Sequence, residues 1–129
     1  NKRQVSITTS GSPWLEAMGD SQIPIPVAHG EGRAQFENTL TTADINDSDI
    51  VAARYVDSRG ISSSYPMNPN GSPRGIAGIT STTGRVLAMM PHPERVFRTV
   101  QNSYVAPAHV DREDGPWLRL FRNIRVAVG

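Results

Sequence analysis

Short runs of apolar residues, interrupted every few positions by glycine, proline or polar residues, make up most of this chain. Residues 4–9 alternate between apolar and polar side chains, and this period of two predicts a β-strand. Residues 23–28 predict a second strand at the edge of a sheet, because Pro24 and Pro26 have no N–H to donate to a neighbouring strand. Residues 33–36 predict a short further strand.

Two hairpins are predicted in the middle of the chain. The first pairs residues 50–56 with residues 61–65 around Asp57-Ser58-Arg59-Gly60, since turn-forming residues between two β-prone runs mark a hairpin. The second pairs residues 76–80 with residues 86–90 around a short polar turn.

Two helices are predicted near the C-terminus, over residues 94–100 and 116–126. The apolar side chains of the second recur at helical spacing and predict its buried face: Trp117, Leu118, Phe121, Ile124 and Val128. Arginines at the same spacing predict a solvated face: Arg119, Arg122 and Arg125. Strands outnumber helices, so the pattern predicts mostly short mixed or antiparallel strands with two C-terminal helices.

Composition narrows the classes of function. A chain of 129 residues with 37% hydrophobic and 19% charged residues fits one globular domain with a core. The net charge of +1 gives no reason to expect a nucleic-acid partner, and no apolar run approaches the length of a membrane span. The chain has no cysteine, which excludes a disulfide framework and is compatible with a cytoplasmic location.

The segment Pro91-His92-Pro93-Glu94 has the residue types of a general base and its orienting carboxylate. The two prolines restrict the backbone on both sides of His92, and Glu94 is close enough to accept a hydrogen bond from one ring nitrogen. The same pattern also fits a turn histidine followed by an acid near a helix N-terminus, where the dipole favours it. The residues alone leave both interpretations open.

Other polar groups give weaker indications of a site. His29-Gly30-Glu31 and His92 with Glu94 together offer four zinc-type ligands, although no helical ligand spacing or cysteine supports a metal site. The loop Asn68-Pro69-Asn70-Gly71-Ser72 could line a polar pocket or form a hydrogen-bonded turn. No phosphate-binding glycine loop occurs, and His109 is assigned no role.

Four strings, in order, resemble the glutaminase domain of the phosphoribosylformylglycinamidine synthase family, in its large single-chain form: Val27-Ala28-His29-Gly30-Glu31-Gly32-Arg33, Asn68-Pro69-Asn70-Gly71-Ser72, Gly75-Ile76-Ala77-Gly78-Ile79 and Met89-Met90-Pro91-His92-Pro93-Glu94-Arg95. Residues 113–123 resemble the end of that form. The resemblance implies an α/β fold, part of a class I glutamine amidotransferase domain of the flavodoxin-like three-layer type. Residues 1–129 would then be a single unit, the C-terminal part of a glutaminase domain without its nucleophile elbow.

The resemblance also implies a reaction. A family cysteine attacks the side-chain amide of glutamine, and the ammonia released serves an ATP- and magnesium-dependent synthetase domain that converts formylglycinamide ribonucleotide to the amidine in purine biosynthesis. His92 and Glu94 would be the catalytic base and its orienting acid. We therefore expect glutamine as substrate, the rest of the parent polypeptide as partner, no cofactor in these residues, and no activity for them alone, since the cysteine is absent.

Two competing hypotheses remain at this stage. The chain could be a non-catalytic domain that docks on a synthetase, and an upstream reading frame without a Gly-x-Cys-x-Gly elbow would favour it. It could also be a metal hydrolase that uses His29, Glu31, His92 and Glu94, which a zinc assay would test.

Overall fold

The computed structural model describes residues 2–8, 11–28, 32–36, 45, 49–105 and 107–129. The strands are β1 (Lys2–Ile7), β2 (Gln22–Pro26), β3 (Val51–Asp57), β4 (Gly60–Ile61), β5 (Ile76–Thr80) and β6 (Leu87–Met89), and helix α1 spans Leu118–Val128. Short 3₁₀ turns cover Pro13–Leu15, Pro73–Gly75, Pro93–Arg95, Thr99–Gln101 and Pro107–His109. Within the described ranges, no helix has the length and apolar character needed to cross a membrane.

All strand pairs in the described sheet are antiparallel, in the order β2-β1-β3-β5-β6, with β4 paired to β3. Both predicted hairpins are confirmed, as β3–β4 and β5–β6. The mostly antiparallel architecture expected for this piece is therefore confirmed.

Strand β2 forms one edge of the sheet, as its two prolines predict. The carbonyl of Pro24 accepts a hydrogen bond from Trp117 Nε1 at 2.8 Å, and the carbonyl of Pro26 accepts one from the His92 N–H at 3.0 Å. The chain beyond β6, at the opposite edge, still pairs with β5 through Met90 N–H and Ala77 O at 3.0 Å. Because Met90 and His92 are two residues apart, the segment after β6 joins the two edges of a strongly curved sheet.

The core lies on both faces of the sheet. The larger cluster combines strand residues such as Val5, Ile25 and Tyr55 with Trp117 and Leu120 from the C-terminal region. A smaller cluster covers the other face: Ile45, Val51 and Ile76, with Ala34, Phe36, Ile50 and Ile79 packed against it. Strand β3 is buried on both faces, which explains why its sequence is nearly continuously apolar.

Two predicted elements are wrong. Residues 33–36 form no strand, although Ala34 and Phe36 pack on the sheet. The expected helix over residues 94–100 is instead two separate 3₁₀ turns, so one C-terminal helix forms where two were expected.

The backbone of that region pairs with a distant segment, which prevents a helix. Thr99 N–H donates to Glu113 O at 3.0 Å, and Gly115 N–H donates to Phe97 O at 2.8 Å. A helix would need these groups for its own bonds. The two segments approach so closely that a Cβ on Gly115 would lie 2.8 Å from Val96 O, which only glycine avoids.

Helix α1 forms close to its predicted position, but its buried face differs. Trp117, Leu120 and Asn123 are buried, whereas Phe121 is 38% exposed. The amide of Asn123 donates to Trp14 O at 3.0 Å and to Glu16 O at 2.8 Å, which fixes the helix against the turn Pro13–Leu15. The solvated arginine face is confirmed.

Tyr55 predicts a loss of stability at high pH. Its side chain is 1% exposed, its hydroxyl has no hydrogen-bond partner among the described residues, and burial raises its pKa from 10.0 to about 12, an effect that the nearby Arg3 opposes. The folded state holds the phenol proton more tightly than the unfolded state does. The contribution of Tyr55 to the free energy of unfolding is therefore fully present below pH 10 and is lost between pH 10 and about 12, by up to roughly 2–3 kcal/mol.

Urea unfolding of Tyr55→Phe tests this prediction. The variant should differ from the parent by less than about 1 kcal/mol at neutral pH, since no hydrogen bond is lost, and should show a shallower decline above pH 10. Tyr65→Phe, at a tyrosine that is 77% exposed, is the control substitution. An unchanged decline in Tyr55→Phe would contradict the assignment.

Candidate active site

His92 lies where the backbone leaves the sheet. It follows β6, Met90 and Pro91, and the 3₁₀ turn Pro93–Arg95 begins directly after it. Its φ of −110° and ψ of 86° lie outside the α-helical region, which proline at the next position disfavours. The His92 N–H is bonded to Pro26 O at 3.0 Å, so the backbone that presents the ring is anchored to β2.

The side chains of His92 and Glu94 are in direct contact. Nδ1 of His92 lies 2.9 Å from Oε1 of Glu94, and the two side chains are 30% and 55% exposed. Arg95 Nε is 3.9 Å from the same carboxylate oxygen, at the outer side of the pair. The ring is therefore partly exposed and in contact with Glu94, rather than fully enclosed in the core.

This geometry selects one tautomer of the imidazole. A carboxylate can only accept a hydrogen bond, so Nδ1 carries the proton and Nε2 keeps a free lone pair. No residue in the described part of the chain bonds Nε2. An oriented imidazole with an open nitrogen can accept a proton, and the carboxylate stabilises the cation that results.

The other candidates do not join this pair in the described structure. His29 and Glu31 lie outside the described residues. The metal hypothesis depends on these two residues and therefore stays a prediction. Over the ranges that are described, no group of three or more His, Cys, Asp or Glu side chains is placed to hold a metal ion. His109 lies on the turn Pro107–His109 and lines a separate cavity of about 750 Å³ beside β2, together with Lys2 and Arg112.

The loop Asn68–Ser72 contacts Met90, two residues before His92, and the sequence did not reveal this contact. Ser72 Oγ lies 3.8 Å from Met90 Sδ, and the loop also bonds residues 32 and 34. The many turn-forming and amide residues of this loop indicated a hydrogen-bonded turn. They could not indicate which segments the loop contacts, because those segments are distant in sequence.

Comparisons with known proteins place the chain in a family. It belongs to the CobB/CobQ-like glutamine amidotransferase domains, whose family profile matches residues 1–126. The relationship to glutamine amidotransferases inferred from the four strings is thereby confirmed.

A solved structure is similar over the whole chain. This is the structure of PurLQS from Thermotoga maritima, with 25% sequence identity and a TM-score of 0.64. The match covers 100% of this chain and 47% of that one, so the chain spans about half the length of the protein that it resembles.

Proposed function

We propose that this chain is the histidine- and glutamate-bearing C-terminal part of the glutaminase domain of a phosphoribosylformylglycinamidine synthase. The observation that carries the proposal is the 2.9 Å contact between His92 Nδ1 and Glu94 Oε1, which leaves Nε2 open. Family membership, the similarity to PurLQS and the four strings support the choice of parent enzyme.

In the proposed reaction, a cysteine from polypeptide outside these residues attacks the side-chain amide carbon of glutamine. The sulfur–carbon bond forms, the carbon–nitrogen bond breaks, and the thiol proton passes through His92 Nε2 to the departing nitrogen, which leaves as ammonia. Water then hydrolyses the thioester to glutamate. Since these 129 residues contain no cysteine, we expect them to be inactive alone.

The ammonia would serve the synthetase part of the parent enzyme, a carbon–nitrogen ligase that we expect in the cytoplasm. ATP and magnesium would act there, in the conversion of formylglycinamide ribonucleotide to the amidine. The proposed steps at His92 use no metal. A docking role without catalysis would give no reason for an oriented, accessible imidazole.

Glu94→Gln in the complete enzyme tests the proposal. A glutamine side chain can donate as well as accept, so the imidazole tautomer is no longer fixed, and glutamine-dependent turnover should fall on the order of 100-fold. Synthesis supported by added ammonia should be unchanged, because it bypasses glutamine hydrolysis. Glu113→Gln, at an exposed glutamate elsewhere, is the matched control. If both activities of Glu94→Gln fall together, Glu94 has no specific role in the glutaminase.

A further inference from the structure

The loop Asn68–Ser72 is organised by two buried polar side chains, since Asn68 is 1% and Ser72 is 2% exposed. Asn68 Oδ1 accepts from Ser72 N–H at 3.1 Å, and Asn68 Nδ2 donates to Ser72 O at 2.8 Å. Both backbone groups of Ser72 are thus satisfied by one amide. The Ser72 hydroxyl remains to bond other segments.

The loop connects two segments that are far apart in sequence. Ser72 Oγ accepts from Ala34 N–H at 3.1 Å and lies 3.8 Å from Met90 Sδ, within the range of a hydroxyl–sulfur hydrogen bond. Asn70 Nδ2 donates to Gly32 O at 2.9 Å. The hydroxyl of Ser72 therefore bridges Ala34 and Met90, the residue that follows β6.

Both connected segments are linked along the chain to the surroundings of His92. Met90 precedes it by two residues, and the 32–34 segment follows β2, whose Pro26 carbonyl accepts the His92 N–H at 3.0 Å. A cavity of about 180 Å³ is lined by Arg33 and Ala34 from one segment and by Met89 and Met90 from the other.

We propose that Ser72 is a positioning residue for glutamine hydrolysis, acting by fixing residues 32–34 relative to the strand end that presents His92. This inference rests on the proposed function. Asn68 orients Ser72 for the task. Burying an amide and a hydroxyl costs free energy unless both are bonded. Here the Asn68 amide bonds the backbone of Ser72, and the Ser72 hydroxyl contacts the two distant segments.

The test is Ser72→Ala in the complete enzyme, with steady-state kinetics for glutamine and for ammonia. The value of kcat/KM for glutamine should fall about 10-fold, mainly through kcat, because a small misplacement of the general base is costly in the transition state. Ammonia-supported synthesis should be unchanged. Asn70→Ala, which removes the bond to Gly32 from a half-buried side chain and leaves the Ser72 hydroxyl in place, should give a smaller effect of the same kind.

Ser62→Ala is the matched control. Ser62 is 5% exposed, and its hydroxyl donates to Ser64 O at 3.2 Å, within its own loop. A purely structural role for Ser72 predicts that Ser72→Ala and Ser62→Ala lose similar thermal stability and keep kcat/KM for glutamine within twofold of the parent, and that result would overturn the inference.

His92→Ala in the same assays separates the two proposals. If it lowers glutamine-dependent synthesis selectively while Ser72→Ala behaves like Ser62→Ala, only the role of Ser72 is wrong. If His92→Ala has no selective effect, the proposed function itself fails.

Discussion

In the complete enzyme, His92→Ala should abolish glutamine-dependent synthesis, with a loss of about 10³- to 10⁴-fold, and should leave ammonia-supported synthesis intact. The ring supplies the nitrogen that takes the proton of the attacking thiol and returns it to the leaving ammonia. Added ammonia removes the need for both transfers. The measurement is the ratio of the two rates under otherwise equal conditions.

The fold should tolerate this substitution. The contact of His92 with β2 uses its backbone N–H, which alanine retains, and the side chain is 30% exposed. His109→Ala, at an exposed histidine on a separate turn, is the control and should leave both activities unchanged. Equal losses of both activities in His92→Ala would remove His92 from the glutaminase role.

Trp117→Ala should cause the largest loss of stability of any single substitution discussed, about 3–5 kcal/mol. The side chain is completely buried in the larger core cluster, and its Nε1 donates to Pro24 O at 2.8 Å. The substitution leaves a large cavity and an unpaired carbonyl on β2. Because domains of this size are stable by only about 5–15 kcal/mol, the substitution should remove a large fraction of the free energy of unfolding.

Two further variants separate the packing and hydrogen-bonding contributions in urea unfolding. Trp117→Phe keeps most of the aromatic contact and loses the bond to Pro24, so it should cost less than half as much as the alanine variant. Trp14→Ala removes a half-buried indole that bonds Arg85 O at 3.2 Å, and it should also cost less than Trp117→Ala. Equal losses for Trp14→Ala and Trp117→Ala would contradict the central position of Trp117 in the core.

Local features of the sequence predicted much of the fold. The hairpins follow from turn residues that lie between β-prone runs, and the edge position of β2 follows from Pro24 and Pro26, which lack a donor N–H. The spacing of His92 and Glu94 allows their hydrogen bond without any help from distant residues. Each of these features depends on groups within a few positions of one another.

The failed predictions depend on distant partners. The pattern of residues 94–100 suits a helix, but the backbone at Phe97 and Thr99 bonds to Gly115 and Glu113 instead. The apolar stripe of α1 placed Phe121 inside, yet Asn123 is buried because two carbonyls near Trp14 accept its amide hydrogens. The periodicity of apolar residues predicts which face of an element is buried, but it contains no information on hydrogen bonds between distant residues.

The sequence by itself therefore determined the β-rich pattern, the family and the histidine–glutamate pair, because all of these rest on neighbouring residues. Only the tertiary structure decided that the segment after β6 joins both edges of the sheet and that Ser72 bridges Ala34 to Met90. Those contacts join residues tens of positions apart, and their geometry follows from the curvature of the whole sheet rather than from any local pattern.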